Sequence, residues 1–382
     1  MTDEKEKFLV DHPGTFIIEE LDARGWAQSD LAYILGMSLP QLSKILNGKG
    51  GITASMALAF GDAFDMPAEF FSNLQKLYDL SVAEKPDVGV RKRATWASEF
   101  PIRKMIDRGW IDDSDPALLD AQMLRFFGRN AIEDLPFVGS GDVYQHAAKK
   151  TDYSETTPSQ FVWLHRVKKI AETFDAPKYD AKALAQRLPE IRQHMLAKAD
   201  ISRIPHILKD CGVRFILVES LPNAKVDGVC LWLHDQPVIG MTTLNDRMDN
   251  FCFVLRHEIE HVLQGDGRDD GFSPIDTKDG NLNSNNDDIA EQERRANSEA
   301  AEFLIPQQKL ISFYDRKAPF ISERDILAFS ARHEIHPAVT IGQIHHMQGK
   351  YTLLRKYLKS IRANLDDWDF VDGWGRVAPV EL

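Results

Sequence analysis

Cysteine is scarce in this sequence: Cys211, Cys230 and Cys252 stand far apart, with no CxxC pair. That excludes a disulfide scaffold or a cysteine-built zinc ribbon and fits buried free thiols in a reducing compartment. Long apolar runs are missing too, so no segment reads as a membrane span. The opening residues, MTDEKEKFLV, lack the apolar core of a secretory signal. A cytoplasmic protein is expected. Positive charge is in deficit, with 46 Lys and Arg against 58 Asp and Glu, a net charge of −12. Unspecific adhesion to nucleic acid or membrane is therefore disfavoured, and any DNA contact has to come from a local surface. No internal repeat is present. The remainder, 43% hydrophobic and 27% charged over 382 residues, is ordinary for a globular protein of two or three domains.

The pattern predicts a mainly α chain with an α+β C-terminal domain. Residues 12–80 read as five helices. Thr15 is the expected cap of FIIEELDARG, which Gly25 ends, and Gln28 to Leu35 stops at Gly36. Ser38 caps LPQLSKIL, which ends at Asn47-Gly48, and Thr53 to Phe64 and Pro67 to Leu77 follow at helical period. Two short helices around a glycine-containing turn make a helix-turn-helix signature. Residues 81–95 are polar, end in VRKRAT and read as a linker. A helical middle region runs to 195, broken at Pro101, Gly109, Pro136, Gly139-Ser140-Gly141 and Pro158. Near residue 200 the texture changes. ISRIPHILKDCG is a helix and VRFILVES a strand, while DGVCLWL and PVIGMTT form a hairpin through His234-Asp235-Gln236. An apolar helix, a polar loop at 266–288 and the helix EQERRANSEAAEFLIP follow. The expected segments are 1–80, 81–195, 196–360 and a C-terminal tail at 361–382.

The apolar helix carries His257-Glu258-Ile259-Glu260-His261. Positions i and i+4 share one helix face, so both imidazoles reach one metal ion. Glu258, one position on, is placed to approach a water at that metal rather than the metal itself, the arrangement of HExxH zinc peptidases. Zinc asks for a third protein ligand and an open fourth position. The second helix offers Glu293, with Asn297 one turn later to support a histidine from behind. Glu291 and Glu299 are rivals that read as solvated charges. The Asp-rich loop at 266–288 satisfies no EF-hand register and is expected to be a flexible surface loop.

HEIEH followed by the helix from Glu293 to Pro306 resembles the ImmA/IrrE metallo-endopeptidases, as do DGVCLWLHDQPVIGMTT before it and IGQIHHMQG after it. The resemblance covers roughly residues 200–350. It implies a zincin-like domain with a small sheet, zinc as cofactor, His257, His261 and Glu293 as ligands and Glu258 as general base. Glu260 departs from the family pattern, where a small residue such as Gly is common. His345 and His346 fall in the similar stretch, where one is a candidate oxyanion donor and a structural role is the simpler reading. The segment 237–243, just before the histidine helix, is a candidate edge for an extended substrate.

HPGTFIIEELDARGWAQSDLAYILGMSLPQLSKILNGKGGITASMALAF is similar to the HigA-type antitoxin branch of the Cro/C1 (XRE) helix-turn-helix fold. In that fold the second helix of the motif enters the major groove. This nominates Leu39, Gln41, Ser43 and Lys44 for DNA contact, with Gln28 and Lys49 on phosphate, in a homodimer. Charge opposes this reading, since residues 1–80 carry six basic against twelve acidic side chains.

The expectation is a cytoplasmic transcriptional regulator with zinc-dependent endopeptidase activity, cleaving a partner repressor or antitoxin. The alternative is a non-enzymatic HigA-like antitoxin or repressor whose peptidase-like domain binds a partner or senses a ligand.

Overall fold

The computed structural model describes residues 10–85, 87–112, 115–132, 135, 157–197, 200–268, 276–277, 287–349, 354–358, 360–365 and 367–380. They fall into two compact units, Met1–Asp87 and Val88–Leu382.

The first unit is five helices, as the spacing predicts: α1 (Pro13–Arg24), α2 (Gln28–Ile34), α3 (Leu39–Leu46), α4 (Ala54–Phe64) and α5 (Ala68–Val82). Ile17, Leu31, Leu42, Phe60 and Phe71 point inward to a core of their own. The cap of α1 is His12 rather than Thr15, for His12 Nδ1 accepts from the Gly14 N–H at 2.9 Å. Pro13 then takes the first helical position, where its missing N–H costs nothing. Gly14 is required by close packing: a Cβ there would lie 2.5 Å from the Ile45 carbonyl oxygen at the end of α3. Ser38 is the N-cap residue of α3, but its side chain makes no capping bond.

The second unit holds α6 (Val88–Glu99), α7 (Ile102–Asp107), α8 (Leu119–Phe127), α9 (Pro158–Thr173), α10 (Ala181–Arg192) and α11 (Ile204–Asp210). Its sheet and remaining helices are β1 (Arg214–Val218), β2 (Val226–Leu233), β3 (Gln236–Met241), α12 (Met248–Gln264), β4 (Asp276–Thr277), α13 (Asp287–Leu304), α14 (Gln307–Lys317), α15 (Glu323–Arg332), α16 (Pro337–Gln348) and β5 (Val371–Asp372). One apolar core runs through Trp96, Trp163, Phe215, Ile259 and Trp368. The expected divisions near 195 and 360 therefore fall inside a single unit. VRKRAT lies on α6 rather than in a linker, because Trp96 anchors that helix in the core and its Nε1 donates to Asp120 Oδ1 at 2.9 Å. The last segment is tied in by Asp372. Fully buried, it accepts from Trp110 Nε1 at 2.8 Å, Arg166 Nε at 3.0 Å and the Ala378 N–H at 3.1 Å. Pro136, Gly139 to Gly141 and most of the 266–288 loop lie outside the described residues.

Among the described residues the strands are ordered β4-β2-β3-β1-β5. β3 pairs antiparallel with β2 and parallel with β1. The segment 237–243 therefore offers no free edge, because two neighbours already occupy its ladder. β2 lies further out and, among the described residues, meets β4 at Val226 and Gly228. Against this sheet packs α12, flanked by α13 and α16. Its C-terminus is Gly265, held at φ 75°, a left-handed conformation open to glycine.

Candidate metal centre

Nearly every side chain of α12 from Phe251 to Val262 is buried, the histidines included. The i, i+4 spacing places His257 Nε2 and His261 Nε2 3.0 Å apart. From α13, Glu293 Oε2 lies 3.4 Å from His257 Nε2 and Glu293 Oε1 lies 3.4 Å from His261 Nε2. Ala296 and Ala300 of α13 are fully buried. Among the described residues, His257, His261 and Glu293 are the group of three ligand-type side chains whose donor atoms converge within 4.8 Å. Two donors at about 2.0–2.1 Å from a tetrahedral zinc lie roughly 3.3 Å apart, so the three observed separations fit that ion without rearrangement. The donor set, two imidazoles and a carboxylate, suits it as well.

Each histidine is held from behind. His257 Nδ1 is 3.1 Å from Asn297 Oδ1. His261 Nδ1 is 2.9 Å from Asp266 Oδ2, which also accepts from Arg295 Nη2 at 2.6 Å. Burial alone would lower His261, but donation to Asp266 and Glu293 overrides it and pushes the imidazole up to about 10. Burial would raise Glu293, yet the two histidines draw it down to about 2. Asp266 likewise stays below the usual carboxylate range against its burial, through His261 and Arg295. The cluster is thus a set of ionised carboxylates around imidazole nitrogens, a field that favours a cation.

Glu258 is 1% exposed and lies against β2, where a Cβ on Gly228 would come within 2.6 Å of Glu258 Oε1. Glu291 sits apart, exposed and paired with Arg294 at 2.6 Å, and Glu299 is 55% exposed. His345 is fully buried in α16, whereas His346 is exposed. Glu260 accepts from Arg256 at 2.9 Å and from Gln264 Nε2 at 2.8 Å. Asp266, Arg295 and Gly228 escaped the sequence reading. A glycine inside the buried run DGVCLWL was the one available signal, since such a residue marks a close approach.

In the first unit, α3 buries Leu42, Ile45 and Leu46 and leaves Leu39, Gln41 and Lys44 exposed. Gln28 opens α2 and is exposed, and Lys49 is exposed in the turn after α3. Ser43 is half-buried, with Asn47 Nδ2 donating to its Oγ at 3.1 Å. Tyr33, 87% exposed on α2, was not singled out by the sequence.

A family model described as Helix-turn-helix matches residues 17–71, and a peptidase family model described as IrrE N-terminal-like domain matches residues 211–336. The chain joins a helix-turn-helix domain to an IrrE-type domain. Virulence-associated protein A′ of Dichelobacter nodosus is 42% identical over 71 residues, 18% of this chain and 62% of that protein. The chain thus spans less than two thirds of that relative. Among solved structures, an addiction module antidote protein of the HigA family from Coxiella burnetii is 30% identical over 23% of this chain and 91% of its own, with a TM-score of 0.18. The Pseudomonas aeruginosa antitoxin HigA, solved with the higBA promoter, is also 30% identical, over 23% of this chain and 88% of its own, with a TM-score of 0.18.

Proposed function

We propose that the IrrE-type domain is a zinc-dependent endopeptidase with a repressor- or antitoxin-type protein as substrate, and that the helix-turn-helix domain binds operator DNA as a homodimer. Cutting the partner then couples to transcription. The observation that carries this reading is the set of three donor separations, 3.0, 3.4 and 3.4 Å, around one point. His257, His261 and Glu293 would hold the ion, which when bound supplies Lewis acidity to a peptide carbonyl. Glu258 takes the proton from the attacking water and hands it to the leaving amine. The match of residues 17–71 and the outward Gln41 and Lys44 support operator binding. Leu77 and Leu80, 53% and 66% exposed one turn apart on α5, offer an apolar face for pairing two copies.

The test compares wild type with Glu258→Gln. Both should carry about one zinc per chain, while His257→Ala, His261→Ala and Glu293→Ala lose it. Only wild type should cleave a repressor or antitoxin offered as substrate, since a positioned base contributes on the order of 10²–10⁴ in rate. Equal partner turnover by wild type and Glu258→Gln would end the peptidase reading. A second reading draws on the 1% exposure of Glu258: a sensory metal site in a non-enzymatic regulator. It expects zinc in both proteins and cleavage by neither.

A further inference from the structure

The two candidate imidazoles are backed by unlike groups. Asn297, a neutral amide, faces His257 Nδ1 at 3.1 Å. Asp266, a buried carboxylate, faces His261 Nδ1 at 2.9 Å. Asp266 is itself fixed at three points. Its N–H donates to the His261 carbonyl at 3.0 Å, its carbonyl accepts from Trp232 Nε1 at 2.9 Å, and its carboxylate accepts from Arg295 Nη2 at 2.6 Å. Gly265 and Gly267 on either side adopt φ of 75° and 73°, which folds the chain back beneath the end of α12. A side chain held this firmly directly after a helix is not a solvated loop charge.

We propose that Asp266 is the positioning residue of the metal centre, a role that rests on reading His257, His261 and Glu293 as zinc ligands. Asp266 accepts the His261 Nδ1–H, which selects the tautomer whose Nε2 lone pair faces the point shared with His257 and Glu293. A carboxylate behind a ligating imidazole fixes its ring orientation as well as its tautomer. Arg295, donating to the same carboxylate oxygen at 2.6 Å, keeps it aimed at His261. Glu293, Arg295 and Asn297 all belong to α13, so the docking of that one helix brings a ligand, the clamp on Asp266 and the support of His257 together.

The test is zinc affinity, read without any peptidase assay. Full-length protein is stripped with a chelator and titrated with Zn²⁺ against a chromophoric competitor, and the visible spectrum of the Co²⁺ form reports the ligand field. Loss of a group that supports a ligand typically weakens metal binding about 10–100-fold, and Asp266→Ala should fall in that range. Asp266→Asn, whose amide oxygen still accepts the Nδ1–H, should recover part of the loss. Asn297→Ala should lose less than Asp266→Ala. Arg295→Met, at a half-exposed position, should shift affinity the same way by a smaller factor and serves if Asp266→Ala does not fold. Wild-type affinity in Asp266→Ala or in both Asp266→Asn and Arg295→Met overturns the proposal while His257→Ala still loses zinc. Equal losses in Asp266→Asn and Asp266→Ala, with both metal-free proteins melting early, also overturn it in favour of a structural role. A wild type that takes up no zinc removes the ligand assignment and this role with it.

Discussion

Arg256 and Glu260 pair inside α12 at 2.9 Å, with side chains only 4% and 6% exposed. The pair accounts for a carboxylate where the resemblance leads one to expect a small residue. Glu260 is also bonded by Gln264, and the Arg256 guanidinium lies over the Phe303 ring of α13 at 5.0 Å. Breaking a buried pair by removing one partner leaves a charge out of water and costs about 3–5 kcal/mol. Arg256→Met should lower stability by about that much, since it strands Glu260. Glu260→Gln should cost less, because Arg256 keeps Phe303 and sits 3.9 Å from Glu299. Arg256→Met with Glu260→Leu should recover most of the loss. Urea midpoints of the three proteins check the order, and a neutral Arg256→Met would refute it.

Operator binding makes a second expectation. Gln41 stands outward on α3 and Lys49 in the turn after it. If Gln41 reads a base edge, Gln41→Ala should relax sequence choice at one position by about 1–3 kcal/mol. Lys49→Ala should weaken binding to every sequence and reduce the salt slope by about one. Fluorescence anisotropy with the chain's own promoter, across a salt series, separates the two. Unchanged discrimination in Gln41→Ala would move base reading to Leu39, Lys44 or Tyr33.

Much of this was legible because it depends on short-range spacing. His257 and His261 share a face by helical period alone, and Glu293 with Asn297 repeats that logic on α13. Asp266 was hidden because the Asp-rich composition after Gly265 reads as solvated loop. Its fixation depends on Arg295, far along the chain, and on Trp232 of β2. The two-residue β5 carries no periodicity to detect, and only burial of Asp372 against Arg166 and Trp110 reveals that the last segment completes the sheet. β3 looked available to substrate because a sequence shows hairpin neighbours but not the parallel partner β1.

A third prediction concerns acid. Burial, helped by Lys169, Lys168 and Arg129, pushes His165 down to about 4 although its Nε2–H bond to the Phe126 carbonyl at 2.6 Å works the other way. The unfolded chain takes up that proton near 6.5. The folded state therefore binds fewer protons between these values, and stability falls as pH drops from about 6.5 toward about 4. The stability His165 contributes is intact above the upper value. The loss is on the order of 2–3 kcal/mol once partial exposure is allowed for. His165→Gln, which keeps a donor but does not titrate, should flatten this part of the pH profile. Parallel urea midpoints for the two proteins between pH 7 and pH 4 would contradict the assignment.

A substitution on β2 can separate the proposed base, Glu258, from the proposed ligands without replacing any of them. Gly228 sits on β2 where any Cβ would lie 2.6 Å from Glu258 Oε1 and 2.7 Å from Val254 Cγ1. Real Cβ atoms do not approach this closely, so Gly228→Ala has to push the Glu258 side chain or shift the strand. β2 is held by β3 from Gly228 opposite Met241 to Leu233 opposite Gln236, so the side chain gives way first. The atoms nearest that Cβ belong to Glu258 and Val254 rather than to His257, His261 or Glu293, and zinc content should stay near one per chain. Cleavage should fall by a large part of the 10²–10⁴ that a positioned base contributes. Stability should drop by roughly 1–3 kcal/mol from overpacking. Full activity with normal zinc in Gly228→Ala would show that Glu258 tolerates displacement and does not act as the base.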